Sequence, residues 1–215
     1  MTTYTKSPLT VALALRLTTV LLGGCATDRS AYNPSPDVIK NAMAAFKRDF
    51  DAKGSASLDR LNTDKLQDIC NATNSKPSPD MAAVVEREQM AAIKLPADGN
   101  LLGDWKAGEK LAQSGRGMTW SDKTGIPNGG NCYNCHQLSP QELSYGTIGP
   151  SLLHFGKIRG NSPEIQKYTY SKIYNAKAYN ACSAMPRFGH SSALTEAQIK
   201  DLVALLLDPQ SPVNK

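Results

Sequence analysis

Apolar positions along most of this chain follow a helical period, not the alternation of strands. After Ser35-Pro36, a cap followed by proline at the first helical position, Ile39, Ala42, Met43, Phe46 and Phe50 fall on one face. The pattern predicts a helix over 36–52, ended by Gly54-Ser55 and preceded by a linker over 31–36. A second short helix is expected within 58–70, and Ser78-Pro79 opens another that runs to about Ile93. Pro96-Ala97-Asp98-Gly99 reads as a turn and a boundary. Beyond it, Asp104 caps a helix over Trp105–Ser114, closed by Gly115 and Gly117. Near the far end Thr195 and Gln198 form a capping-box pair. Ile199, Leu202, Val203 and Leu206 follow at i, i+3, i+4 and i+7, and Pro209 stops the helix. With no competing strand pattern the expected class is all-α, and Trp105 and Trp120 are expected in the core.

The first residues depart from this pattern. Lys6 and Arg16 are the only charges in 1–24, Thr10–Leu15 and Leu17–Leu22 are largely apolar, and small residues follow, as in an export signal. The apolar stretch is too short and interrupted for a membrane span. Leu21-Leu22-Gly23-Gly24-Cys25 resembles the end of a lipoprotein signal, in which Cys25 becomes the lipidated first residue; cleavage past Cys25 by an ordinary signal peptidase is the alternative. The expected division is therefore an export signal over 1–25, a helical extension over 26–100 and a second domain over 101–215, with a periplasmic location and a membrane contact only if Cys25 is acylated.

Charge separates the two mature parts. Residues 25–100 carry ten basic and eleven acidic side chains, whereas 101–215 carry twelve and eight. That mild positive balance suits docking on acidic protein partners, and no basic cluster points to nucleic acid. Of the five cysteines, Cys25 belongs to the signal boundary, and Cys132 and Cys135 share one motif. The two left over, Cys70 and Cys182, are expected to pair in an oxidising compartment.

Cys132-Tyr133-Asn134-Cys135-His136 is a C-x-x-C-H sequence. Two cysteines at this spacing reach the two vinyl groups of one haem, and the adjoining histidine is then held beneath the iron. A redox C-x-x-C pair leaves the histidine unexplained, and a zinc site needs further Cys or His ligands that the spacing does not supply. One covalent haem c is therefore expected, with His136 as an iron ligand. The sixth ligand is open among Met185, Met118, His154 and His190. Arg159, Tyr168, Tyr170 and Tyr174 are further candidates for the pocket wall, and no nucleophile–base constellation is present.

Two terminal helices framing such a motif resemble the class I cytochrome c fold, in which a small residue like Gly108 lets the first and last helices cross closely. The resemblance implies that Met185, in Met185-Pro186-Arg187-Phe188-Gly189 just before the last helix, is the second iron ligand. It also implies that the carbonyl of Pro150, in Gly149-Pro150-Ser151-Leu152, accepts a hydrogen bond from His136. Several stretches are more specific. Asp104–Lys110, Ser114-Gly115-Arg116-Gly117, Gly129–His136, Tyr145–Leu152 and the segment from Lys172 to Gly189 together resemble SoxX, the smaller monohaem subunit of the thiosulfate-oxidising SoxAX cytochrome. The likeness covers about 101–208 and, more weakly, 31–100. It implies a heterodimer with SoxA that acts as an L-cysteine S-thiosulfotransferase, joining thiosulfate to a cysteine of the SoxYZ carrier. The catalytic haem would belong to SoxA. This chain, with no catalytic residue of its own, would pass electrons to a cytochrome c. A freestanding periplasmic c-type electron carrier is the alternative reading.

Overall fold

The computed structural model describes residues 34–215, so the expected export signal, Cys25 and the start of the extension lie outside the described residues. The helices are α1 (Pro36–Asp49), α2 (Lys65–Ala72), α3 (Pro79–Ala91), α4 (Trp105–Gln113), α5 (Phe155–Arg159), α6 (Pro163–Tyr174) and α7 (Glu196–Leu207). Short 3-10 turns intervene at Leu58–Leu61, Cys132–Asn134, Ala176–Ala178 and Pro212–Asn214. No strand occurs among the described residues, and the class is all-α.

The starts of these helices follow the sequence signals. The Ser78 hydroxyl accepts from Met81 N–H ahead of Pro79, and Asp64 and Thr195 each form a complete capping box, with Gln67 and Gln198. Helix α6 begins with the same device, Ser162 ahead of Pro163, at a place where the apolar pattern alone predicts no helix.

The described residues divide into two units, 34–45 and 46–215. In the first, α1 begins and buries none of its residues. The second is a single body, so the turn at 96–99 joins parts that pack together. Its main core gathers on α7, where Ile199 and every residue from Leu202 to Leu207 are buried, as befits a central helix apolar on most of its circumference. A smaller core of Leu66, Cys70, Val85 and Ala181 joins α2 and α3 to the segment after α6. There Cys70 and Cys182 form a disulfide across a sequence separation of 112. On the chain-entropy account, closing a loop of that size stabilises by on the order of 4–5 kcal/mol.

Helices α4 and α7 cross at Gly108. A Cβ at this position would run into the backbone carbonyl of Asp201 and approach Leu205, so the helices touch only because glycine is there. The crossing is pinned at its end by Gly103 N–H donating to Lys200 O (3.0 Å) and Asp104 N–H to Asp201 Oδ1 (2.8 Å). Gly108→Val is expected to cost roughly 3 kcal/mol by overpacking against an immovable backbone. In a body of this size that lowers Tm by on the order of 10 °C in a thermal scan. Trp105 packs against the main core. Trp120 does not join it, contrary to expectation: it is 62 % exposed, with the Lys53 ammonium 4.7 Å from its ring centroid.

Candidate functional site

The Cys132–His136 segment is built outward from α4. Gly130 N–H donates to Leu111 O (2.8 Å) and Asn131 N–H to Ser114 O (2.9 Å), fixing the approach. Asn131 then takes a left-handed conformation (φ +48), which asparagine tolerates better than most residues, and turns the chain into the short helix at Cys132. Cys135 and His136 N–H both donate to Cys132 O (3.1 and 2.9 Å), closing the turn that holds the two cysteines and the histidine together.

A second segment lies along the first. Gly146 N–H bonds Tyr133 O, Gly149 N–H bonds Cys135 O, and Leu152 N–H bonds Gln137 O, each at 2.8 Å. This brings Pro150 O to 2.7 Å from His136 Nδ1. A carbonyl can only accept, so Nδ1 is the donor, and the neutral ring with this tautomer has its lone pair on Nε2. Gly149 lies against the imidazole so closely that a Cβ there would overlap the ring.

Cys132, Cys135, His136, Pro150 and Met185 line one cavity of about 1010 Å³. Its apolar wall comes from Leu138, Leu152, Phe155, Phe188, Leu202 and Leu206. Arg159, Tyr168 and Lys172 are also on the wall, whereas Tyr170 and Tyr174 are not: Tyr170 is buried in the main core, and the Tyr174 ring lies against Gly189. Burial pushes the Lys172 ammonium below the usual lysine value, with Glu86 opposing the shift. Of the open sixth-ligand candidates, Met185 reaches the cavity. Met118, His154 and His190 are not among its lining residues, and His154 sits instead in a left-handed turn (φ +61) with its backbone N–H on Val213 O.

The two cysteines of the motif are free thiols, unlike Cys70 and Cys182. Burial, with Cys135 adding to it, pushes the Cys132 thiol up to about 12, the opposite of the depressed value that thiol–disulfide exchange uses. Among the described residues no group of three or more His, Cys, Asp or Glu side chains converges as a metal cage would. The arrangement therefore presents two thiols, one oriented imidazole nitrogen and one thioether to a large, mainly apolar space.

Between the cysteines, Tyr133 turns inward and donates to Glu109 Oε1 on α4 (2.9 Å). The other carboxylate oxygen, Oε2, is buried without a partner. Burial raises the Glu109 carboxyl above its usual value and nearby Glu142 adds to this, while the Tyr133 hydroxyl opposes it. The folded chain thus holds this proton more tightly than the unfolded chain. The associated stability is present below the ordinary carboxylate pKa and is lost as pH rises through the folded value. Glu109→Gln, which keeps the acceptor for Tyr133, should raise Tm at pH 7. The gain should vanish in scans run near pH 4.

A protein of Aquifex aeolicus (strain VF5), named as an uncharacterized lipoprotein, is 42% identical over 154 residues, covering 71% of this chain and 73% of that protein. No family model matches the chain.

Proposed function

The chain belongs to one family with the Aquifex aeolicus lipoprotein, and we propose that it is a lipid-anchored, periplasmic c-type cytochrome serving as the electron-transfer subunit of a SoxAX-like enzyme. The observation that carries this reading is the single cavity that gathers Cys132, Cys135, His136, Pro150 and Met185. The donor set fits a haem: thiols for two thioether bonds, an imidazole whose Nδ1–H is bonded to a carbonyl so that Nε2 is left for iron, and a thioether on another segment of the wall. The close crossing of α4 and α7 at Gly108 supports a class I cytochrome c-like domain over 101–215.

When bound, the haem iron would supply one-electron exchange. The chain's own residues would hold and tune it. Cys132 and Cys135 would attach it to the segment that α4 anchors. Pro150 O orients His136 and raises its basicity. Met185, on the cavity wall, would offer its thioether as a second ligand, which would raise the potential and favour electron transfer over oxygen chemistry. The apolar wall would pack against the haem, and Arg159 and Lys172 on the same wall would offer positive charge to its carboxylates. Cys25 would carry the lipid, in keeping with the relative's name. No described helix is long and apolar enough to cross a membrane.

The SoxX-like stretches support a place beside SoxA, receiving electrons from thiosulfate conjugation to SoxYZ and passing them to a cytochrome c. Purification of the tagged chain from its source tests this. The expected result is a co-purifying larger haem protein and thiosulfate-dependent haem reduction only when both are present. Isolation of the chain alone, still exchanging electrons with a cytochrome c, would favour the freestanding carrier and overturn the subunit reading.

A further inference from the structure

The segment that carries Met185, from the end of α6 to the start of α7, contains only one short helical turn, at Ala176–Ala178. Much of what holds it comes from the helices that precede the 101–215 domain. Cys70 on α2 is bonded to Cys182, three residues before Met185. Asp64, the cap of α2, pairs with Arg187, two residues after it, at 2.5 Å. The Arg187 side chain is only 12% exposed, so this contact is well shielded on the loop side. From α3, Glu86 Oε1 accepts from Ala181 N–H (3.1 Å), and Gln89 Oε1 accepts from Asn175 Nδ2 (3.0 Å) and Arg187 Nη1 (3.4 Å). Ala181 is itself buried in the small core formed by Leu66, Cys70 and Val85. The methionine is thus bracketed on both sides by ties to one external brace, and Cys182 and Met185 line the same cavity.

We propose that residues 58–91 are a clamp on the methionine loop, with Asp64, Cys70, Cys182 and Arg187 as positioning residues that set how often Met185 leaves the cavity. The inference rests on the reading of Met185 as an iron ligand. A clamped loop keeps the ligand position closed. Loosening either tie raises the open population, and the apparent affinity for a small competing ligand rises in proportion to that population. The clamp explains why a small electron-transfer domain carries a helical segment with no chemistry of its own: the segment acts through the loop.

Imidazole titration of the oxidised full-length holoprotein tests this, read by loss of the thioether-to-iron charge-transfer band. Cys70→Ser/Cys182→Ser should raise the imidazole association constant by about tenfold or more. Asp64→Asn keeps an oxygen to cap α2 while removing the charge facing Arg187, and should raise it severalfold. A merely structural role would lower Tm and leave this constant unmoved. If the double variant does not mature, the intact holoprotein is reduced with a phosphine, its Cys70 and Cys182 thiols alkylated, the phosphine removed and the haem reoxidised before titration. Constants within about twofold of the unaltered protein, with the band intact, overturn the clamp alone. An unaltered protein without the band overturns the assignment of Met185, and the clamp with it.

Discussion

Replacing Cys132 and Cys135 together by alanine is expected to yield a chain with no covalently bound haem and no stable fold around the cavity. The size of that cavity makes the second half of the statement follow from the first. The cavity opens to solvent, so without an occupant the partly buried Leu152, Phe155 and Phe188 on its wall stay against water, at up to about 1.5–3 kcal/mol each. Total stabilities of domains are only about 5–15 kcal/mol. On the proposed reading, the walls formed by Leu138, Leu152, Phe188 and Leu206 would pack against the haem that the two thiols hold. The variant should show no visible absorbance after acid–acetone extraction, and weak near-ultraviolet circular dichroism. The small core of Leu66, Cys70, Val85 and Ala181 lies outside that cavity's lining and should persist longer under limited proteolysis.

Met185→Ala should leave the haem attached but change what it does. His136 remains oriented by Pro150, so on the proposed reading the imidazole ligand would be unaltered. The thioether would be gone, and Met118, His154 and His190 are not on the cavity wall to replace it. The oxidised protein should lose its charge-transfer band, and the reduced protein should bind carbon monoxide at neutral pH. Its reduction potential should fall by on the order of 0.1 V or more, against the roughly 0.8 V span that axial ligands govern. Persistence of the band in this variant would exclude Met185 as the ligand.

The sequence was most readable where the signal is local. Ser78-Pro79 and the Thr195–Gln198 box announce helices through bonds made within one turn, and the structure contains those bonds. Helix α6 opens with the same Ser-Pro device at Ser162-Pro163, but its buried residues include Thr169 and Ser171, so its inward face does not read as apolar. Trp120 misled because a large aromatic ring suggests a core, while here it lies exposed beside Lys53. The C-x-x-C-H motif stands out because its two cysteines and histidine lie within five consecutive residues. Its partners do not: the approach of Pro150 to His136 depends on backbone pairing between 133–137 and 146–152, and only the family resemblance suggested it. The pairing of Cys70 with Cys182 was reachable by counting cysteines, since the others were already assigned. The Asp64–Arg187 contact was not, because charged side chains are numerous and nothing in the sequence marks two of them as neighbours.

The central claim is that this chain carries one haem through Cys132 and Cys135. Intact-mass spectrometry of the mature protein, with thiol alkylation under denaturing, non-reducing conditions, tests it directly. The predicted result is the added mass of a single haem, no alkylation at Cys132 or Cys135, and a lipid-modified first residue at Cys25. A mature chain without haem, in which both Cys132 and Cys135 take up the alkylating reagent, would contradict it.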